Sequence, residues 1–275
     1  MHVDEVERKL RALQRRLSEL GRVAVAFSGG ADSTLLLATA KLVLAGDVIA
    51  VTVRTELHGE EEVEEAVRLA RGIGVRLLLL ESKLLQDPEV AANGPERCYL
   101  CKRKLFELIS SQAQKEGYLV VVDGTNADDA RSSRPGLKAL RELGVVSPLA
   151  EAGMTKSEVR EASGRLKLST KERPSNPCLA TRIPFGEKLT SEKLEMVSRA
   201  ESALRELGFK EVRVRYHGTV ARIEVPKASM DKLLQLREEA AEAVRSAGFT
   251  YVAMDLDGYR SGSMEEALQK GEGRG

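Results

Sequence analysis

The sequence predicts an α/β protein: a doubly wound parallel sheet over residues 1–185, followed by a smaller α+β domain over 186–275. Three observations predict it. Short apolar runs alternate with helical periodicity through the first two-thirds of the chain, proline and glycine then cluster (Pro174, Pro177, Pro184, Gly186), and a run of shorter, alternating strands follows. Near-continuous apolar strands separated by helices are the mark of a parallel sheet covered on both faces, since such strands are buried on either side.

The elements follow in order. Arg22 to Phe27 reads as a strand that passes at once into a glycine turn and a helix ending at Leu44. Val48 to Val53 is a second strand, Glu60 to Ile73 a helix and Val75 to Leu80 a third strand. A helix from Lys102 to Glu116 leads to a fourth strand, Leu119 to Val122, and Thr155 with Glu158 three residues on forms a capping box. Beyond the proline cluster, Leu189 to Leu207 is helical, and strands Glu211 to Tyr216 and Val220 to Val225 are joined by a turn at His217-Gly218-Thr219. Lys227 to Ala247 is helical, Tyr251 to Leu256 is a last strand, and Lys270 to Gly275 reads as disordered.

The chain has 275 residues, 42% hydrophobic and 31% charged, with a net charge of +1. That is an ordinary globular composition, with no global pull toward nucleic acid or an anionic membrane. Met1 to Leu20 is charged and amphipathic without a signal-peptide core, and no run approaches the roughly 18 apolar residues of a membrane span. A cytoplasmic protein is expected, and three cysteines are too few for a disulfide scaffold.

The strongest local signal is Phe27-Ser28-Gly29-Gly30-Ala31-Asp32-Ser33, placed between a strand and a helix. Backbone N–H groups and a helix N-terminus converge there on one point, and the glycines let an anion approach the main chain. Ser28 and Ser33 add hydroxyl donors. Asp32 would repel a polyphosphate unless a divalent cation sat between them, so its presence implies Mg²⁺. The Walker spacing is missing. A bare strand-to-helix turn is the bland alternative, and six consecutive matching residues at the first strand argue against it. A second polar segment, Asp123-Gly124-Thr125-Asn126-Ala127-Asp128-Asp129, follows the fourth strand at the carboxyl end of the sheet, where open α/β folds bind ligands. The loop resembles the PP-loop of the ATP pyrophosphatase superfamily, which activates a carbonyl-type oxygen with ATP and releases pyrophosphate. The resemblance implies ATP contacts at Ala26, Ser28, Gly29, Gly30, Asp32, Ser33 and Gly124.

Cys98-Tyr99-Leu100-Cys101 precedes a basic helix, and Cys178 lies in Asn176-Pro177-Cys178-Leu179-Ala180-Thr181-Arg182. Neighbouring Arg97, Lys102 and Arg103 would favour thiolates. A zinc site wants four ligands, a redox pair would leave Cys178 without a role, and buried inert thiols are the bland reading. The preferred reading is a [4Fe–4S] cluster on all three, which would leave one iron open for a sulfide taken from a separate source. On the strand Val212-Arg213-Val214-Arg215-Tyr216 the arginines share one face, and Arg222 and Glu224 share one face of the next. A solvated face is the usual explanation of such alternation; paired arginines also make a bidentate phosphate site.

Taken together these pieces resemble the LarE family of ATP-dependent sulfur transferases. The match runs through Ala26-Phe27-Ser28-Gly29-Gly30, Arg134-Pro135-Gly136-Leu137-Lys138, Thr181-Arg182-Ile183-Pro184-Phe185-Gly186, Val212-Arg213-Val214-Arg215, Ala221-Arg222-Ile223-Glu224 and Asp255-Leu256-Asp257-Gly258-Tyr259-Arg260-Ser261-Gly262. The resemblance implies that Arg213 and Arg215 hold the phosphate of pyridinium-3,5-biscarboxylic acid mononucleotide. It further implies a divalent-cation site at Glu201, Glu224 and Asp231, and a homo-oligomer, a hexamer in this family. Many members sacrifice the sulfur of the cysteine matching Cys178; Cys98 and Cys101 depart from that pattern and favour the cluster-bearing subgroup. The expected catalytic groups are Asp32, Cys178 and Arg182, the last stabilising charge. An iron–sulfur tRNA thiolase is the competing enzyme reading, an ammonia-using synthetase a third, and a sensor without turnover the reading from another class.

Overall fold

The apolar runs of the first half become the strands of one parallel sheet in the computed structural model, which describes residues 4–131, 135–171 and 176–260. Arg134, Pro174, Ser261, Gly262 and the 270–275 tail lie outside the described residues. The chain divides into two compact units, Met1–Ser82 with Cys98–Asn176, and Lys83–Arg97 with Pro177–Gly275.

In chain order the elements begin with α1 (Glu5–Leu20), β1 (Val23–Ala26), α2 (Ala31–Leu44), β2 (Val48–Arg54), α3 (Glu60–Ile73) and β3 (Leu77–Glu81). The one-turn helix α4 (Pro88–Ala91) belongs to the second unit. The first unit resumes with α5 (Arg97–Lys115), β4 (Val120–Val122), α6 (Ala127–Ala130), α7 (Pro135–Glu142), α8 (Pro148–Glu151) and α9 (Lys156–Arg165). The strands pair in parallel in the order β3-β2-β1-β4, with Val23 opposite both Val48 and Val120 and a further parallel bridge from Val122 to Val146. Alternate side chains of β1 and β2 enter different cores. Val23, Val25, Val48 and Ala50 join Leu13, Leu17, Leu35 and Val159, whereas Ala24, Ile49 and Val51 join Phe106, Ile109 and Tyr118. Burial on both faces is why these strands carry unbroken apolar runs. The amphipathic start of the chain is α1, which buries Val6, Leu10, Leu13 and Leu17. The expected capping box forms at the start of α9, with both Thr155 and Glu158 engaged.

The sequence places a domain boundary at 185; the second unit instead begins at Pro177 and takes in 83–97. Asn93 is the reason. It is fully buried, its amide donates to the carbonyls of Pro184 (2.8 Å) and Glu187 (3.1 Å), and its own carbonyl accepts from Gly186 N (3.0 Å). Arg97, also buried, donates to the Asn93 side chain and to Ala180 O, and lies over Phe185.

The second unit continues with α10 (Ser191–Glu206), β5 (Arg213–His217), β6 (Val220–Glu224), α11 (Met230–Gln235), α12 (Arg237–Ser246) and β7 (Tyr251–Met254). β5 and β6 are antiparallel, β6 and β7 parallel. The hairpin turn is two residues, Gly218-Thr219, with Gly218 at φ +64°, a conformation glycine adopts without strain. The single helix expected over 227–247 is split at Leu236. Among the described residues, no helix is long and apolar enough to cross a membrane.

Candidate functional site

The loop after β1 and the segment after β4 meet where the strand order reverses, the position at which open parallel sheets bind ligands. The main chain leaves β1 at Ala26, and Phe27 keeps its place through its N–H to Val51 O and its carbonyl accepting from Thr52 Oγ1 (2.7 Å). Ser28 Oγ lies 3.1 Å from Ser33 Oγ, which also donates to Gly30 O (3.2 Å). This small network shapes the turn and leaves the first N–H groups of α2 without intrahelical acceptors, a ready anion site.

Two glycines set the geometry. Gly29 has φ +70°, and a Cβ there would stand 3.2 Å from Ala66 Cα of α3. At Gly124 a Cβ would lie 2.9 Å from Ser33 N and 3.1 Å from Ser33 Cα. The β4 segment thus presses directly on the first turn of α2, and only a glycine permits that approach.

Asp32 heads the same turn, part-exposed. Its Oδ2 is ion-paired with Lys156 Nζ, and its Oδ1 accepts from Asn126 Nδ2 (3.2 Å). Asn126 also caps α6, its Oδ1 accepting from Asp128 N (2.9 Å) and Asp129 N (3.0 Å). Lys156 is held from behind by its own N–H, which donates to Asp128 Oδ2 (2.8 Å). Lys156 is absent from the sequence reading, although a signal was present. A lysine at the first position of a helix opposes the helix dipole and requires an anionic partner. Behind β4, the buried Asp123 accepts from Thr125 (2.5 Å) and Ser147 (2.6 Å), which anchors the segment. After β2, His58 Nδ1 sits 2.9 Å from Thr55 Oγ1, and burial holds its imidazole below the ordinary histidine value.

Cys98 and Cys101 lie three residues apart on the first turn of α5, both half-buried, which puts two thiols on one helix face. Their basic neighbours have other partners: Arg97 Asn93 and Ala180, Lys102 Asp123 at 3.9 Å, and Arg103 Glu107 at 3.0 Å. Cys178 belongs to the second unit, where its carbonyl accepts from Arg182 (3.1 Å) and from Thr181 Oγ1 (2.8 Å).

The charged sheet face of the second unit is buried, so the solvated reading fails. Arg182, Glu201 and Glu224 have no exposure, Arg213 3% and Arg215 5%. Arg182 makes a two-point contact with Glu201, Nε to Oε1 at 2.9 Å and the outer nitrogen to Oε2 at 3.0 Å, and also donates to the Pro177 carbonyl. Glu201 accepts further from Arg205 (3.0 Å) and Val214 N (3.1 Å). Arg215 donates to Glu224 (2.7 Å) and to Thr181 O (3.0 Å), and Arg222 bridges Glu224, Asp255 and His217. Arg213 lies over the Tyr259 ring; burial, then the Arg182 charge, pushes its guanidinium below the usual arginine range. Arg182 and Arg205 pair with Glu201, Arg215 and Arg222 with Glu224, and Arg222 also with Asp255.

Of the three residues expected to hold a divalent cation, Glu201 and Glu224 are ion-paired with Arg182 and Arg215, and Asp231 is an exposed residue of α11. Among the described residues, no three His, Cys, Asp or Glu side chains gather as metal ligands. Arg182, expected to stabilise reacting charge, ties the Cys178 carbonyl to Glu201.

A doubly wound parallel sheet with a Ser-Gly-Gly loop at its switch point defines the PP-loop class of ATP-using enzymes. The asparagine synthase family profile matches residues 6–238. An uncharacterised protein of Synechocystis sp. is 40% identical over 96% of this chain and 100% of its own length. Pyridinium-3,5-bisthiocarboxylic acid mononucleotide synthase of Lactiplantibacillus plantarum is 38% identical over 96% of each chain. An uncharacterised protein of Methanocaldococcus jannaschii is 32% identical over 92% of this chain and 98% of its own length. The chain belongs to the LarE family of ATP-using sulfurtransferases, within the asparagine synthase group of PP-loop proteins.

Proposed function

We propose that the chain adenylates a carboxylate of pyridinium-3,5-biscarboxylic acid mononucleotide at the loop Ser28–Ser33 and converts it to a thiocarboxylate. The observation that carries this reading is the contact of Gly124 with Ser33, which sets the β4 segment against an anion-binding helix start. The family and the 38% identical synthase supply the acceptor. The carboxylate oxygen attacks the α-phosphorus, the bond to the β-phosphate oxygen breaks, and pyrophosphate leaves. A sulfur nucleophile then adds to the acyl carbon and AMP departs.

Asp32 is the group through which Mg²⁺ would be held beside the phosphates, and the N-terminus of α2 takes up their charge. Arg213 and Arg215 would receive the acceptor's phosphate, since they stand two apart on β5 and so share one face of the strand. Arg182 is a positioning residue for the Cys178 loop. For sulfur, Cys98 and Cys101 offer two thiols on one helix face, and Cys178 would complete three ligands of a [4Fe–4S] cluster. When bound, such a cluster supplies an open iron site for a hydrosulfide. A cytoplasmic homo-oligomer, a hexamer, is part of the same reading. The test is anaerobic reconstitution with iron and sulfide, followed by a count of turnovers with ATP and the biscarboxylate. Several turnovers with Cys178 intact are expected; a single turnover with loss of one sulfur mass at Cys178 would overturn the cluster. Tight, salt-sensitive tRNA binding would overturn the acceptor.

A further inference from the structure

We propose that Tyr259 is a positioning residue for the acceptor's phosphate: its ring holds the Arg213 guanidinium by the face, so that the edge of the fork is offered to the anion. This rests on the proposal that Arg213 and Arg215 receive that phosphate.

The stretch Asp255-Leu256-Asp257-Gly258-Tyr259 follows β7, and its residue types are those that a tight return to the sheet requires. Asp255 divides its carboxylate between two tasks. Oδ1 accepts from Asp257 N (2.9 Å) and starts the turn, while Oδ2 is ion-paired with Arg222. The main chain is held at the end of β6: Asp255 N donates to Ile223 O (2.9 Å) and Tyr259 N to Val225 O (2.8 Å). Between them Gly258 N closes the turn on Asp255 O (3.1 Å). Gly258 has φ +72°, and a Cβ there would stand 2.9 Å from Val225 O, so the position calls for glycine. The point from which Tyr259 leaves the main chain is therefore fixed, and its ring centroid lies 5.5 Å from Arg213 Cζ.

The chemistry of a guanidinium explains why a ring suits this place. The group is a flat fork with its donors along the edge and a weakly hydrated face. A carboxylate partner takes up the edge, as Glu201 does with Arg182. An aromatic ring attracts the same charge through its face and takes up no donor. Arg213 Nη1 donates to Val212 O (2.7 Å), so the side chain is held at one end by a carbonyl and from above by the ring. Burial disfavours the Arg213 charge, and a phosphate dianion on the fork offsets that cost as it binds. Tyr259 thus keeps the arginine in one orientation by the surface that the anion does not use.

A ring that acts through Arg213 predicts a loss confined to phosphorylated ligands, which a purely structural role would not produce. In full-length Y259L, KM for the biscarboxylate mononucleotide should rise about tenfold while kcat changes by less than about twofold. Inorganic phosphate should bind about tenfold more weakly by calorimetry. The dephosphorylated nucleoside should show the same KM in Y259L and wild type. Y259F should restore the wild-type values, because the ring and not the hydroxyl carries the effect. Y259M serves the same comparison if the leucine variant fails to fold. An equal rise in KM for the nucleoside, or a Y259F variant as impaired as Y259L, would overturn the proposal. Wild-type KM values that are equal for the nucleotide and its nucleoside would instead sink the reading of Arg213 and Arg215 as the phosphate holders, and this inference with it.

Discussion

The nucleotide loop and the arginine–carboxylate cluster are both built to meet an anion, and they use opposite materials. In the loop, partial charges of the main chain act where α2 begins, and the one carboxylate, Asp32, is balanced at the surface by Lys156. In the cluster, full charges are taken out of water: Arg182 and Glu201 are wholly buried, as is Glu224 beside Arg215. Main-chain dipoles need no counter-ion and cost little to bury, whereas each buried guanidinium must be matched or become a liability. The loop can therefore be rebuilt with consequences for chemistry alone, while the cluster is part of what holds its unit together.

The largest effect expected from that contrast is E201A. It would strand Arg182 in the interior and cost about 3–5 kcal/mol of stability, read from urea unfolding. An unchanged midpoint would mean that the cluster is not structural. Next, D32N should lower pyrophosphate release about a hundredfold with little change in the unfolding midpoint. Equal losses of activity and stability would erase the distinction between the two regions. G124A comes third, since its Cβ would stand 2.9 Å from Ser33 N; a cost of about 1–3 kcal/mol and weakened ATP binding are expected, checked by calorimetry and melting.

The smallest effect is on pH dependence. Burial lowers the pKa of His58, and that of His217 is lowered by partial desolvation and then by Arg222, whose Nε donates to His217 Nε2. The unfolded chain then takes up protons more readily than the folded one. Stability should hold above about pH 6.5 and decline as pH falls through the lower folded values. H217Q should flatten that decline in urea titrations, and a slope left unchanged would remove His217 from the explanation.

Much of the first unit was legible because its signals are local. Strand, loop and helix are contiguous, so Ala26 through Ser33 announce a phosphate cradle within eight positions, and the Thr155–Glu158 box announces α9. The segment 83–97 was not legible in this way. Its loyalty to the second unit depends on one amide, Asn93, satisfying carbonyls about ninety residues away. Lys156 was obscured because a basic residue near a cap reads as surface, and only its distant carboxylate gives it meaning.

By itself the sequence determined the fold class and the PP-loop, since each follows from periodicity or from consecutive residues. Only the tertiary structure decided which charges neutralise which. It paired Glu201 and Glu224 with Arg182 and Arg215, and it seated Lys156 on Asp32. The physical reason is that backbone dipoles are fixed by local conformation, whereas the environment of a buried charge is fixed by whatever the fold brings beside it.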